Sequence, residues 1–177
     1  MSEQVLSPSA AEASPPSATD PAAPLTTGDL LAHFQRGCKA EADRRVGLEH
    51  EKIGVVLSAD GRVLPLPYAA EAGPSEIRTL FAGLQAQGWQ PSSEGGVDGA
   101  VIALRRNRAS VTLEPGGQFE LSGAPQSSDV EAVAELDAHL AELLPLADGA
   151  SVAFLGCGFR PLGTWADVPW VPKGRYA

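Results

Sequence analysis

Only two cysteines, Cys38 and Cys157, occur in this chain, too few and too far apart for a disulfide framework. A reducing compartment is the natural setting. Both thiols read as structural: Cys157 follows Phe154-Leu155-Gly156 at a buried strand end, and Cys38 closes a helix with no His beside it. No run approaches the roughly 18 apolar residues that a membrane span needs. Basic residues are in deficit, 13 Lys and Arg against 22 Asp and Glu, so the net charge is −9. That balance argues against nucleic acid or an anionic membrane as the main partner. Residues 1–24 lack nearly every large apolar side chain. This Ala/Ser/Pro-rich stretch cannot offset the entropy of ordering and reads as a disordered tail. The remainder, 25–177, is long enough to bury one core, in a chain that is 44% hydrophobic.

Within that remainder, the strand-like run from Arg45 to Leu57 carries Glu49 and Glu51. Side chains alternate across a strand, so the two carboxylates share a face, with Cα atoms roughly 6.5–7 Å apart. Ile53, Val55 and Leu57 lie on that same face, while His50 points the other way. Two carboxylates on an otherwise apolar face repel one another and are costly to desolvate without a cation between them. A hard divalent ion such as Mg²⁺ is the simplest cation of that kind. A solvated face, or an ion pair with Lys52, is the plain alternative.

A second informative stretch runs from Ser110 to Pro125. Val111 and Leu113 face one way, Thr112 and Glu114 the other. Pro115 removes a ladder donor, and Gly116-Gly117 allows a bend or bulge that re-aims the strand. Beyond it Gln118, Glu120 and Ser122 share a polar face, opposite Phe119 and Leu121. Such a strand suits an antiparallel sheet with one wet side. The polar side is either a solvated exterior or the lining of a cleft, with Glu120 then an additional metal ligand beside Glu49 and Glu51.

Around these stretches the pattern is mixed. Thr27 is placed to cap a helix running to about Lys39, with Leu30, Leu31 and Phe34 on its stripe. Asp60-Gly61 marks a hairpin. Pro74-Ser75 opens a helix with Ile77, Leu80, Phe81 and Leu84 at helical spacing, stopped by Gly88. Arg105, Arg106 and Arg108 sit at the expected tip of another hairpin, where solvation is their simplest reading. Ser128 and Glu131 form a capping box for a third helix, its apolar face built from Val130, Val133, Leu136, Leu140 and Leu144. His33 and His139 fall on helices with no assigned role. A last strand covers Val152 to Gly156. Hairpins separated by helices predict an α+β class with an antiparallel-dominated sheet.

Three blocks in order carry a family resemblance: Arg45 to Gly54, Leu113 to Pro125, and Val168 to Tyr176. Together they resemble the plant and proteobacterial type of glutamate–cysteine ligase, from about Leu30 to the end of the chain. The resemblance implies a glutamine synthetase-like sheet whose concave face holds the metals. It implies that Glu49, Glu51 and Glu120, and more weakly Glu114, bind Mg²⁺, and that Lys173 and Arg175 contact substrate or ATP. The implied reaction joins the γ-carboxylate of glutamate to the amine of cysteine, with ATP as co-substrate and γ-glutamyl phosphate between. Family members continue past the Tyr176 position, so the expectation is an N-terminal portion of the catalytic domain. An open sheet edge would then invite self-association.

Plastid relatives make a transit peptide worth weighing. Such peptides are Arg-rich and acid-poor, whereas this tail has Glu3, Glu12 and Asp20 and no Lys or Arg before Arg36. A cytoplasmic location is therefore expected. Two other functions stay open: a related carboxylate–amine ligase with a different acceptor, and a non-enzymatic metal-binding or interaction domain.

Overall fold

The computed structural model describes residues 24–92 and 95–174. Most of the expected tail, and Arg175, lie outside the described residues. The chain divides into two units, Met1–Asp43 and Arg44–Ala177. In the first, α1 (Thr27–Gly37) is capped by Thr26, one residue earlier than the sequence suggests. Thr26 Oγ1 accepts from the Asp29 amide at 3.2 Å, and the Asp29 carboxylate accepts from the Thr26 amide at 2.8 Å. This closed box satisfies two of the amides that a helix start leaves unpaired. Leu30, Leu31 and Phe34 all remain exposed.

The second unit is an antiparallel sheet with two helices on one face, which gives the protein its α+β class. Its strands are β1 (Glu49–Leu57), β2 (Val63–Pro65), β3 (Gln90–Pro91), β4 (Ala103–Arg106), β5 (Ala109–Glu114), β6 (Gln118–Ser122) and β7 (Val152–Leu155). They are ordered β2-β1-β6-β5-β4-β3, and β7 joins β1 along Ile53 to Val56. The stretch Pro115–Gly117 is a chain reversal and not the kink within one strand that was expected. Glu114 pairs with Gln118, and Gly116 and Gly117 hold φ of 88° and 75°, a region that glycine enters without strain. Reversal lays β6 back along β5 and delivers it to β1.

Helix α2 (Ile77–Ala86) buries the four side chains its spacing predicts, Ile77, Leu80, Phe81 and Leu84, although it starts later than Pro74-Ser75. Helix α3 (Asp129–Gly149) differs more. Ser128 Oγ accepts from the Glu131 amide at 3.3 Å, but the Glu131 carboxylate turns to Ser127, so the box is half made. Its buried stripe is Ala132, His139, Leu143 and Ala147, while Val130, Val133 and Leu144 are exposed. The helix is rotated so that this stripe of two alanines, His139 and Leu143 is its covered side. Against these helices pack Leu104, Val111, Leu113, Phe119 and Leu121. Among the described residues, no helix is long and apolar enough to cross a membrane.

Candidate functional site

The register across β1, β6, β5 and β4 sets out the other face of the sheet row by row. One row reads Glu49, Ser122, Ser110 and Arg105; the next reads Glu51, Glu120, Thr112 and Ala103; the third reads Ile53, Gln118 and Glu114. Directly opposed residues stand ~4.5–5.5 Å apart at Cβ, so Glu51 and Glu120 are immediate neighbours. Glu49 lies one row along the same strand. Glu49 and Glu51 are exposed and Glu120 is half-buried, its Oε1 accepting from Ser122 Oγ at 2.8 Å. Strand alternation therefore brings Glu49, Glu51 and Glu120 together on one face, from two segments far apart in sequence.

Like charges opposed across a ladder are destabilising. Among the described residues, no ion pair reaches Glu49, Glu51 or Glu120. The donors on this face are carboxylates and hydroxyls, with no thiol or imidazole, which suits a hard cation such as Mg²⁺. The type of donor fits. The side chains do not form a ready cage, since no group of three His, Cys, Asp or Glu among the described residues is drawn close enough to hold an ion. Glu114 shares the face but pairs with Lys173 at 3.6 Å. Lys173 is thus held against the sheet, with 11% of its side chain exposed.

Helix-side residues hold what the sequence reading passed over. Lys52 is 2% exposed and makes no ion pair with the glutamates beside it, because it projects through the opposite face. Its Nζ lies 5.8 Å from the Phe119 ring centroid, 6.0 Å from that of Phe154 and 3.5 Å from His50 Nδ1. Burial pushes its ammonium down to about 8. His50 is behind the sheet, as its alternation predicts. His139 is buried as well, and desolvation holds its imidazole down to about 3. Arg106 is not a solvated hairpin tip: it binds both carboxylate oxygens of Glu142, at 2.8 and 2.9 Å, and covers Trp89 at 4.4 Å. The alternation that separates His50 from Glu49 also separates Lys52 from Glu51, so that signal was present. Cys157 is half-buried, its Sγ donating to the Phe159 carbonyl at 3.2 Å, and Cys38 is exposed.

A shallow hollow of about 360 Å³ lies between Pro67–Ala69 and Pro169–Pro172. It is lined by proline and aromatic side chains without a carboxylate, so the carboxylate face is the better candidate.

The family described as Glutamate-cysteine ligase family 2 (GCS2) matches residues 45–177. A chloroplastic glutamate–cysteine ligase from Nicotiana tabacum is 39% identical over 167 residues, covering 93% of this chain and 30% of that protein. Chloroplastic glutamate–cysteine ligase B of Oryza sativa subsp. japonica is 38% identical over 170 residues, 94% of this chain and 32% of its own. The Arabidopsis thaliana chloroplastic ligase is 38% identical over 154 residues. The chain spans about 30% of the length of these curated relatives. Their names also correct the cytoplasmic expectation, since all three are called chloroplastic. Tail charge is a poor guide here, because an address is read by a receptor and not by the folding energetics of the chain.

Proposed function

The chain belongs to glutamate–cysteine ligase family 2, and from that premise we propose that its open sheet face is the carboxylate part of an ATP- and Mg²⁺-dependent ligase site. The observation that carries this reading is the register that sets Glu51 opposite Glu120, with Glu49 one row on, and no ion pair reaching any of the three among the described residues. Glu49, Glu51 and Glu120 would hold the metal. Glu114 contributes less while Lys173 engages it. When bound, Mg²⁺ supplies neutralisation of phosphate charge.

The proposed reaction follows from the weakness of a carboxylate as an electrophile. A γ-carboxylate oxygen of glutamate attacks the γ-phosphorus of ATP, and ADP departs. The amine of cysteine then attacks the acyl carbon, the C–O bond to phosphate breaks, and a proton is released. Lys173, already beside the sheet, is placed to exchange Glu114 for a substrate carboxylate or phosphate. Arg175, two residues on, belongs to the same proposal.

The test is γ-glutamylcysteine formation by the 177-residue chain with ATP, Mg²⁺, glutamate and cysteine, read by mass spectrometry. Product lost in Glu51→Gln supports a complete site. Mg²⁺ binding that depends on Glu51, without product, supports the second reading, a metal-binding domain without ligase activity of its own. Neither product nor Mg²⁺ binding from folded protein contradicts both. Replacing cysteine with other amino acids in the assay separates this ligase from relatives with another acceptor.

A further inference from the structure

Behind the sheet, α3 and the β4–β5 hairpin form a partly open cavity of about 100 Å³, with Trp89, Arg106, Asn107, Leu121, Glu135 and His139 in its lining. His139 is 1% exposed, and neither of its ring nitrogens has a hydrogen-bond partner within the protein. A buried group left in that state forfeits ~1–3 kcal/mol. Native proteins rarely tolerate it, and a neutral imidazole has both a donor and an acceptor to satisfy.

The neighbouring groups are already committed. Trp89 Nε1 donates to Glu142 at 3.0 Å, Arg106 donates to the same carboxylate, and Glu135 accepts from the Ala124 amide at 2.8 Å. None of these turns to the ring, and Trp89 meets it edge-on at 5.9 Å between centroids. Charges of both signs surround the cavity and favour no ion over water: Arg106 and Glu142 neutralise one another, Glu135 lies on one wall, and Lys52 and His50 face the ring from β1.

We propose that this cavity is a binding site for neutral, water-sized hydrogen-bonding molecules, and that it holds a small cluster of ordered water bridging His139 to the walls. At ~30 Å³ per molecule the space suits about three. The cluster completes the hydrogen bonding of His139 on α3, behind β6, the strand that carries Glu120. This site does not depend on the ligase reading.

Two experiments on the full chain test it. Water–protein NOE spectra should show long-lived water at the His139 ring and at the Trp89 indole, unchanged by millimolar chloride or Zn²⁺. No water signal at the ring, or a saturable shift with either ion, overturns the proposal. Ala109, buried at the same cavity wall, supplies the second readout. Ala109→Val should expel water, abolish those NOEs and lower Tm by several degrees, because His139 is then left unpaired. An unchanged or raised Tm would mean that a dry void had been filled, and would overturn it too.

Discussion

Glu51 and Lys52 are neighbours in the chain and end on opposite sides of one sheet, in opposite circumstances. The carboxylate stands exposed among like charges on an open face; the ammonium is buried under aromatic rings on the covered face. On the covered face, polar groups are held by packing and strain the stability of the fold. On the open face, they repel one another yet sit in water, where removing them has little effect on folding. The difference separates residues that a fold merely tolerates from residues it displays.

The comparison is broken most directly by adjacent truncations on β6. Phe119→Ala removes a ring that is 0% exposed and packs edge-on with Phe81 at 5.3 Å, and should cost ~3–5 kcal/mol in urea denaturation. Glu120→Ala should stay within ~0.5 kcal/mol. Equal losses would mean that the two faces are not differently covered.

Acid should act through the covered face next. His139 is held down to about 3 by burial, against 6.5 for the ordinary imidazole. The unfolded chain therefore binds more protons between those values. Stability is fully present above about 6.5 and falls as pH drops toward 3, with a limiting slope near 1.4 kcal/mol per pH unit for this one group. In His139→Phe that part of the slope should vanish, which pH-dependent urea midpoints would show.

Lys52→Met removes a buried charge while keeping an unbranched chain against Phe119 and Phe154. At pH 7 it should stabilise by ~1–3 kcal/mol, since a buried ion replaced by an apolar side chain is often a gain. A Tm that falls instead would mean that the contacts of Lys52 with His50 and the two rings outweigh its desolvation. The smallest effect belongs to the open face. Glu51→Gln should raise stability by ~0.5 kcal/mol without divalent cation, by relieving its repulsion with Glu120.

How much of this was legible depends on the range of the signal. Period-2 alternation put Glu49 and Glu51 on one side and His50 on the other, and α2 announced its buried face through four large apolar residues. Pro115-Gly116-Gly117 was ambiguous because a bend and a reversal use the same residues, and only pairing to a distant strand decides between them. The buried stripe of α3 was missed because Ala132, Ala147 and His139 carry little hydrophobic weight. Their burial is set by how the helix is turned within the fold, which no local pattern encodes. The pairing of Lys173 with Glu114, and of Arg106 with Glu142, likewise joins residues 59 and 36 positions apart.

On the proposed reading, the open face binds a divalent cation through Glu51 and Glu120. Its most direct test is the Tm of the 177-residue chain against Mg²⁺ concentration, beside the Glu51→Gln/Glu120→Gln double variant. A saturable rise is expected for the natural sequence and none for the variant, which should be at least as stable without Mg²⁺. A rise of the same size in both, or no rise in either, would contradict it.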